Sequence, residues 1–348
     1  MAVVTIVGAG MMGSALAFPA RENKNEVRLV GTPLDREIIE ISERTGRHPK
    51  FAKDFPEGVK YYQIERLRES LDGADMVIGG VNSFGVDWFG EYVLPEVPAH
   101  VPVLSVTKGL FDTGDGDLLS YPELWESRLE KAGIHRSVNA IGGPCTSYEL
   151  VAHDQTEVVF CGKDLKVLEK MRKIIATDYY HISLSTDVRG IESAVALKNA
   201  YALAVALTIG VNQREFGIDS ELHFNSQAAV FGQGVKEMHI LLDFLGAASI
   251  ESLYVGTGDL YVTINGGRTR LLGILLGRGD DIDTAKKKLS GVTLESIVVT
   301  ERVARAVKKN AEKGVLDISD FPLLMHINEI LTEKRPVNIP WRKFTYVK

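Results

Sequence analysis

The sequence predicts an α/β protein: a doubly wound sheet over residues 1–188 followed by an all-helical domain over residues 189–348. Three observations lead there. Short β-branched runs ending in glycine alternate with helical segments through the first half, which is the pattern of a parallel sheet with helices on both faces. Long helical patterns with few strand-like runs fill the second half. A chain of 348 residues also exceeds what one ordinary core organises.

Taken in order, "VVTIVGAG" is a buried strand closing on glycine, and "MMGSALAFPARE" continues it as a helix. "EVRLVG" is the second strand and "DREIIEISERTG" the second helix. "ADMVIGGVN", "VPVLSVTKG", "SVNAIGGP" and "TEVVFCG" repeat the apolar run ending in small or polar residues. "DTGDGD" at 112–117 reads as a surface turn. Beyond residue 188 the helical patterns cover 190–211, 225–246, 282–288 and 293–313.

Composition narrows the function. A hydrophobic content of 45% with 25% charged residues belongs to a soluble globular protein. The net charge of −6 gives no global attraction for nucleic acid or an anionic membrane, although a local basic pocket is compatible with it. Cys145 and Cys161 form no metal-ligand spacing, so no metal is expected, and as a lone pair they argue for a reducing, cytoplasmic setting. No charged side chain precedes Arg21, so the first apolar run lacks the basic region of a signal peptide. The apolar run between Lys198 and Arg214 falls short of the roughly 20 residues that a bilayer span needs. No membrane span is expected.

Gly8, Gly10 and Gly13 form GxGxxG directly after the first strand and at a helix start. The first glycine permits the tight turn, the second a close backbone approach to a pyrophosphate, and the third the packing of helix on strand. The helix N-terminus then presents N–H groups and a positive dipole end to the phosphates. This is a Rossmann-type dinucleotide site. NAD-selective sites end the second strand with an acid that holds the ribose hydroxyls. Here Gly31 and Thr32 stand at that point and Asp35 comes several residues later. Without an acid there a 2′-phosphate is admissible, with Thr32 and Arg36 to hold it, so NADP is favoured and NAD stays open.

"AVALKNAYALAVAL", Ala194 to Leu207, reads as an interior helix with Lys198 and Asn199 in its middle. A snorkelling lysine is the ordinary explanation. However, the neighbours three and four residues away are Ala194, Val195, Tyr201 and Ala202, and none is an acid. A lysine desolvated in such surroundings loses affinity for its proton, which suits acid/base chemistry near neutral pH. Asp259 in "VGTGDLYVT" is the leading candidate for a partner from elsewhere in the chain, and a carboxylate there would act in the opposite direction.

"GAGMMGSALA", "VTKGL", "GGPCTSYELV", "DVRGIESAVALKNAYALA", "GTGDL" and "GGRTRLLG" occur in the order seen in NAD(P)-dependent glycerol-3-phosphate dehydrogenases, and the chain resembles that family from residue 1 to about 335. The resemblance implies a catalytic acid/base at Lys198, a lysine near nicotinamide and substrate at Lys108, and a contact to the substrate hydroxyl region and the catalytic lysine at Asp259. It implies that Arg268 bridges cofactor and substrate phosphate. Met11 and Met12 would line the dinucleotide, Gly143 would stand at the substrate loop, and Ser147 would fall at a cofactor-contacting position. It also suggests a homodimer. Hydride passes between the nicotinamide and the carbinol carbon while Lys198 serves the adjacent oxygen in either direction. Lys108 and Arg268 supply positive charge for an anionic substrate.

The chain departs from the family pattern at several positions. The GP-Ser/Thr loop reads Gly143-Pro144-Cys145, and the usual Ser-Arg-Asn reads Gly267-Arg268-Thr269. An aromatic of the glycine loop is Met12, an arginine ahead of a later helix is Gln233, and a glutamate toward the nicotinamide end is Ser290. The expected activity is interconversion of sn-glycerol 3-phosphate and dihydroxyacetone phosphate. Two rivals are a related dehydrogenase acting on another polyol phosphate or a 2-hydroxy acid, and a nucleotide-binding sensor without turnover.

Overall fold

The computed structural model describes residues 1–291 and 293–345. In chain order the elements are β1 (Val3–Val7), α1 (Met11–Glu22), β2 (Glu26–Val30), α2 (Arg36–Thr45), β3 (Lys60–Tyr62), α3 (Leu67–Leu71), β4 (Met76–Gly79), the helical turn α4 (Val86–Trp88) and β5 (Val103–Ser105). Next come β6 (Leu110–Asp112), β7 (Leu118–Ser120), α5 (Tyr121–Lys131), β8 (Val138–Gly142), α6 (Ser147–Val151), β9 (Thr156–Cys161), α7 (Leu165–Ile175) and β10 (Tyr180–Ser185). Seven larger helices close the chain: α8 (Val188–Phe216), α9 (Phe224–Phe244), α10 (Ile250–Ile264), α11 (Gly267–Arg278), α12 (Ile282–Lys288), α13 (Glu295–Glu312) and α14 (Pro322–Glu333). The chain divides into two compact units, Met1–Lys108 with Tyr121–Val188, and Gly109–Ser120 with Arg189–Lys348.

The first unit is built on an eight-stranded sheet in the order β10-β9-β8-β5-β4-β1-β2-β3. Neighbours are parallel, with Ile6 opposite both Leu29 and Ile78, except that β9 runs antiparallel to β8. The expectation of a parallel sheet therefore holds for six strands, and the last two, parallel to each other, reverse direction. Val4 to Val7 of β1 are buried on both faces, as a central strand requires. β10 alternates instead, with Tyr180 and Ile182 inward and His181 and Ser183 outward, which is the pattern of a half-covered edge. Strand order reverses between β4 and β1, and the loops at the carboxyl ends of strands around such a switch point are where α/β sheets bind ligands.

The second unit is organised around α8, in which every residue from Gly190 to Gly210 is buried. Three helices approach it through glycines. A Cβ on Gly256 of α10 would lie 2.7 Å from the Ala194 Cβ, and one on Gly234 of α9 would lie 3.0 Å from the Tyr201 Cβ. On α11, Cβ atoms at Gly273 and Gly277 would lie 2.7 Å from the Leu203 carbonyl and 2.3 Å from the Leu207 carbonyl. Gly210 meets α11 in turn, since a Cβ there would lie 2.2 Å from the Ile274 carbonyl. Side chains at these points would force the helices apart, so close crossing depends on their absence.

Residues 189–348 hold helices and no strand among those described, as expected, and the compact unit also takes in the antiparallel hairpin β6–β7, Leu110 and Leu118 lying in its core; the predicted turn at 112–117 is the hairpin's tip. One expectation needs correction. The apolar stretch is longer than the run between Lys198 and Arg214, since α8 carries both charges within 29 helical residues. It is long and apolar enough to cross a bilayer, yet its most apolar 18-residue window is 94% buried inside the protein. A core helix meets the same requirement as a span.

Glu237 of α9 ties three helices of this unit together. Its carboxylate accepts hydrogen bonds from the backbone N–H groups of Leu323 and Leu324 at 2.8 and 2.9 Å, at the start of α14. The Gln233 amide donates to it at 2.8 Å and the Tyr201 hydroxyl of α8 at 3.2 Å. Two orphan donors of α14 are thereby satisfied by a side chain from another helix. Burial pushes the Glu237 carboxyl up to about 7, against the lowering effect of its four donors. Glu237→Ala leaves buried N–H groups unpaired and is expected to cost about 2–5 kcal/mol in denaturant unfolding. A folded-state value above the ordinary 4.5 means that this carboxyl's contribution is fully present below pH 4.5 and is lost as pH rises through about 7. The stability gap between the native chain and Glu237→Gln should therefore shrink across that window, by on the order of 3 kcal/mol. A gap independent of pH would contradict the assignment.

Candidate functional site

In the first unit the glycine loop joins β1 to α1. Gly8 has φ +116°, and a Cβ there would lie 2.7 Å from the Gly80 carbonyl carbon. A Cβ on Gly13 would lie 2.1 Å from the Gly8 carbonyl oxygen. Both glycines are thus demanded by the protein's own backbone packing. Gly10 differs: a Cβ there meets nothing closer than the Gly80 oxygen at 3.8 Å. Gly10 is also the N-cap of α1 with no side chain capping it, and Met11 and Met12 are the first helical residues. An uncapped helix start beside a glycine with open space fits a pyrophosphate, whose oxygens the first-turn N–H groups would hold.

The peptide groups of Ala9, between Gly8 and Gly10, are held on both sides. Its N–H donates to Asp35 Oδ2 at 3.1 Å, and its carbonyl lies 3.2 Å from His48 Nε2. Lys50 N–H donates to His48 Nδ1 at 3.1 Å, which makes Nε2 the protonated nitrogen and a donor to Ala9. Burial lowers the His48 pKa and keeps the ring neutral. Asp35 Oδ2 also accepts from the Thr32 N–H at 2.9 Å and the Thr32 hydroxyl at 2.8 Å. The acid absent from the end of β2 is therefore folded back onto the glycine loop through a short turn. Sequence reasoning did not find His48; the only trace was a histidine near the glycine-led helix end, which carries no motif. Arg36, the other expected phosphate ligand, opens α2 and pairs with Glu65 on the surface. An exposed pair of this kind is readily exchanged for another anion.

Lys108 follows β5, and its ammonium donates to the Gly143 carbonyl, which follows β8, at 3.1 Å. β5 and β8 are parallel neighbours, so their carboxyl ends bring the two loops together. Gly143 has φ +120°, a conformation that side chains other than glycine disfavour. Cys145 is half-buried, and Ser147 is the buried first residue of α6, whose N-cap is Thr146.

In the second unit the expected pair is formed. The Lys198 ammonium donates to Asp259 Oδ1, and both side chains are almost fully buried, at 11% and 2% exposed. Asp259 stands inside α10, one turn after Gly256, whose bare backbone lets α10 come close to α8. The acid's reach thus depends on the glycine one turn before it. Asn199 is buried beside Lys198. Gly267, Arg268 and Thr269 form the first turn of α11, with Gly267 at φ +81°, Arg268 exposed and Thr269 buried. No acid lies in that turn, and Arg270 fastens it to the end of α10 by donating to the Ile264 carbonyl at 2.7 Å. A helix start bearing an exposed arginine is suited to a phosphate.

Residues 3–168 match the family model of the NAD-dependent glycerol-3-phosphate dehydrogenase N-terminus, and residues 187–341 match that of its C-terminus. An NADP(+)-dependent glycerol-3-phosphate dehydrogenase from Archaeoglobus fulgidus is 35% identical over 340 residues, covering 95% of this chain and 98% of the relative. Among solved structures, a glycerol-3-phosphate dehydrogenase from Plasmodium falciparum has a TM-score of 0.84 at 19% identity, over 100% of this chain and 96% of the other. One from Coxiella burnetii has a TM-score of 0.78 at 24% identity, over 98% and 97%. At such identities the solved structures speak for the fold, and the Archaeoglobus relative together with the two domain models speaks for more: the chain belongs to the NAD(P)-dependent glycerol-3-phosphate dehydrogenase family.

Proposed function

We propose that Lys198 is the proton donor and acceptor with which this NAD(P)-dependent dehydrogenase interconverts sn-glycerol 3-phosphate and dihydroxyacetone phosphate. The observation that carries the reading is the buried Lys198–Asp259 pair in an otherwise apolar helix. The nicotinamide, when bound, supplies or accepts the hydride. Lys198 gives its proton to the oxygen of the ketone during reduction and takes one from the hydroxyl during oxidation. Asp259 orients the ammonium and offsets its charge. Lys108 and Arg268, with Gly143, Cys145, Gly267 and Thr269 around them, are the groups we assign to the anionic substrate.

NADP is the favoured cofactor. The Archaeoglobus relative is named for NADP, no acid ends β2, and three donors occupy Oδ2 of Asp35. We assign a 2′-phosphate to Thr32 and Arg36. Cys145 and Cys161, neither in a disulfide, support a cytoplasmic setting. Phe216, Ile218 and Phe224, each more than 60% exposed about the connection from α8 to α9, support a homodimer.

Three measurements test these assignments. Lys198→Met should lower kcat by at least about a thousandfold while the dissociation constant for NADPH stays within about twofold; an active variant removes the role. Oxidation of NADPH and NADH should be followed with dihydroxyacetone phosphate and with a panel of keto acids and sugar phosphates. The expected result is turnover with dihydroxyacetone phosphate and a higher kcat/KM for NADPH. Turnover only with another member of the panel would instead assign the substituted Cys145, Gly267 and Thr269 to a different anionic hydroxy compound. Finally, His48→Ala releases one side of the Ala9 peptide and should weaken NADPH binding by roughly tenfold, the worth of about one hydrogen bond, with kcat at saturation little changed. Unaltered affinity would show that the loop keeps its shape without the histidine.

A further inference from the structure

The buried pair of Lys198 and Asp259 joins α8 to α10 within the helical unit, and Gly256 governs how closely those two helices meet. The buried residues of α10 are Ser252, Gly256, Asp259 and Leu260, a stripe at helical spacing. Only Leu260 among them is a large apolar side chain. Backbone proximity, more than interdigitated side chains, therefore fixes where α10 sits. A Cβ on Gly256 would lie 2.7 Å from the Ala194 Cβ of α8, 3.1 Å from the Ala194 carbonyl oxygen and 2.9 Å from the Met238 Cε of α9. The bare Cα is thus seated in a notch with Ala194 on one side and Met238 on the other. The acid and the lysine each stand about one turn beyond that contact: Asp259 follows Gly256 by three residues, and Lys198 follows Ala194 by four.

Two carbon atoms in contact need about 3.5–4.0 Å between them. A methyl group at position 256 would therefore drive α10 away from Ala194 by about 1 Å. A charge-assisted hydrogen bond does not survive that much stretching at full strength, and a displacement of about 1 Å near the reacting atoms can cost as much as a hundredfold in rate. We propose that Gly256 and Ala194 are positioning residues for the reaction: their contact sets the reach of Asp259 to Lys198 and, through it, the placement of the proton donor. Met238 is the yielding wall of the notch, because its Cε ends a flexible side chain. The Ala194 Cβ is fixed to the backbone of α8 and cannot turn aside. What the seat specifies is thus the combined size of residues 194 and 256, and bulk added on one helix can be offset by bulk removed from the other.

The proposal rests on the reading that Lys198 moves the proton with Asp259 as its partner, and a double-mutant cycle keeps the two apart. Steady-state kinetics with dihydroxyacetone phosphate and NADPH are measured for Gly256→Ala, Asp259→Asn and the double variant, with thermal melts to establish folding. Gly256→Ala is expected to lower kcat by about tenfold or more, with KM for NADPH within about twofold of the native chain. In the Asp259→Asn background the same substitution is expected to cost less than about twofold, because a seat acting through the carboxylate has nothing left to place. Adding Ala194→Gly to Gly256→Ala removes the opposing Cβ and is expected to return kcat to within about threefold of the native value. A general weakening of the helices would not be relieved in this way, since a glycine inside α8 weakens that helix further. Undiminished kcat in Gly256→Ala, equal losses in both backgrounds, or failure of the rescue overturns the seat. Full activity of Asp259→Asn alone overturns the reading of the pair instead. Where Asp259→Asn turns over too slowly to compare, the rescue decides. If Gly256→Ala does not fold, Ala194→Val, which adds bulk to the same contact from α8, takes its place in the cycle; a loss confined to the native background supports the seat and equal losses overturn it.

Discussion

The helical unit depends on how α8 accommodates one ammonium group. Every residue of that helix from Gly190 to Gly210 is buried, so Lys198 has little contact with water. A charge in that position needs a partner brought to it, and the partner must come on a helix that can approach closely. Gly256 allows α10 that approach and Asp259 supplies the carboxylate. Gly234, Gly210, Gly273 and Gly277 allow α9 and α11 similar closeness, so Lys198 is held by helix packing rather than by a loop. α11 in turn presents Arg268 from the helix start nearest the Arg270–Ile264 link.

The sheet unit solves the opposite problem, that of presenting polar backbone without a side chain in the way. Gly8 and Gly13 are required by contacts with Gly80 and with each other, which fixes the loop's path. Asp35 and His48 then hold the Ala9 peptide by its N–H and its carbonyl. The loop is consequently shaped before any phosphate arrives, and Gly10 is left as the glycine whose open side faces outward. Preorganisation of this kind lowers the ordering cost of binding.

Much of this was legible in the sequence, and the exceptions share a cause. Six strands of the sheet announce themselves by buried β-branched runs ending in glycine, and the GxGxxG loop and the Lys198–Asp259 pairing are where the pattern places them. β3 has three residues and β10 alternates polar with apolar, so neither stands out from its surroundings. α10 and α11 escaped notice because "VGTGDLYVT" and "GGRTRLLGILLG" read as broken by glycine, when the glycines are what bring those helices against α8. α14 also went unread, although Pro322 at its first position and buried residues at 323, 324, 327, 330 and 331 make a helical signature. The hairpin was unreadable as part of the second unit because its partner, α13, lies some 190 residues further along the chain.

The two lysines assigned to the reaction carry different electrostatic duties, and their partners show why. Lys198 donates to a carboxylate, so the buried pair presents no net charge and lends little attraction to an anion. Lys108 donates to the carbonyl of Gly143. Arg268 is exposed at a helix start without an acid in its first turn. The Gln233 amide donates to Glu237 and adds no charge to the buried face of α9. Burial raises that carboxyl to about 7 against the lowering effect of its neutral donors.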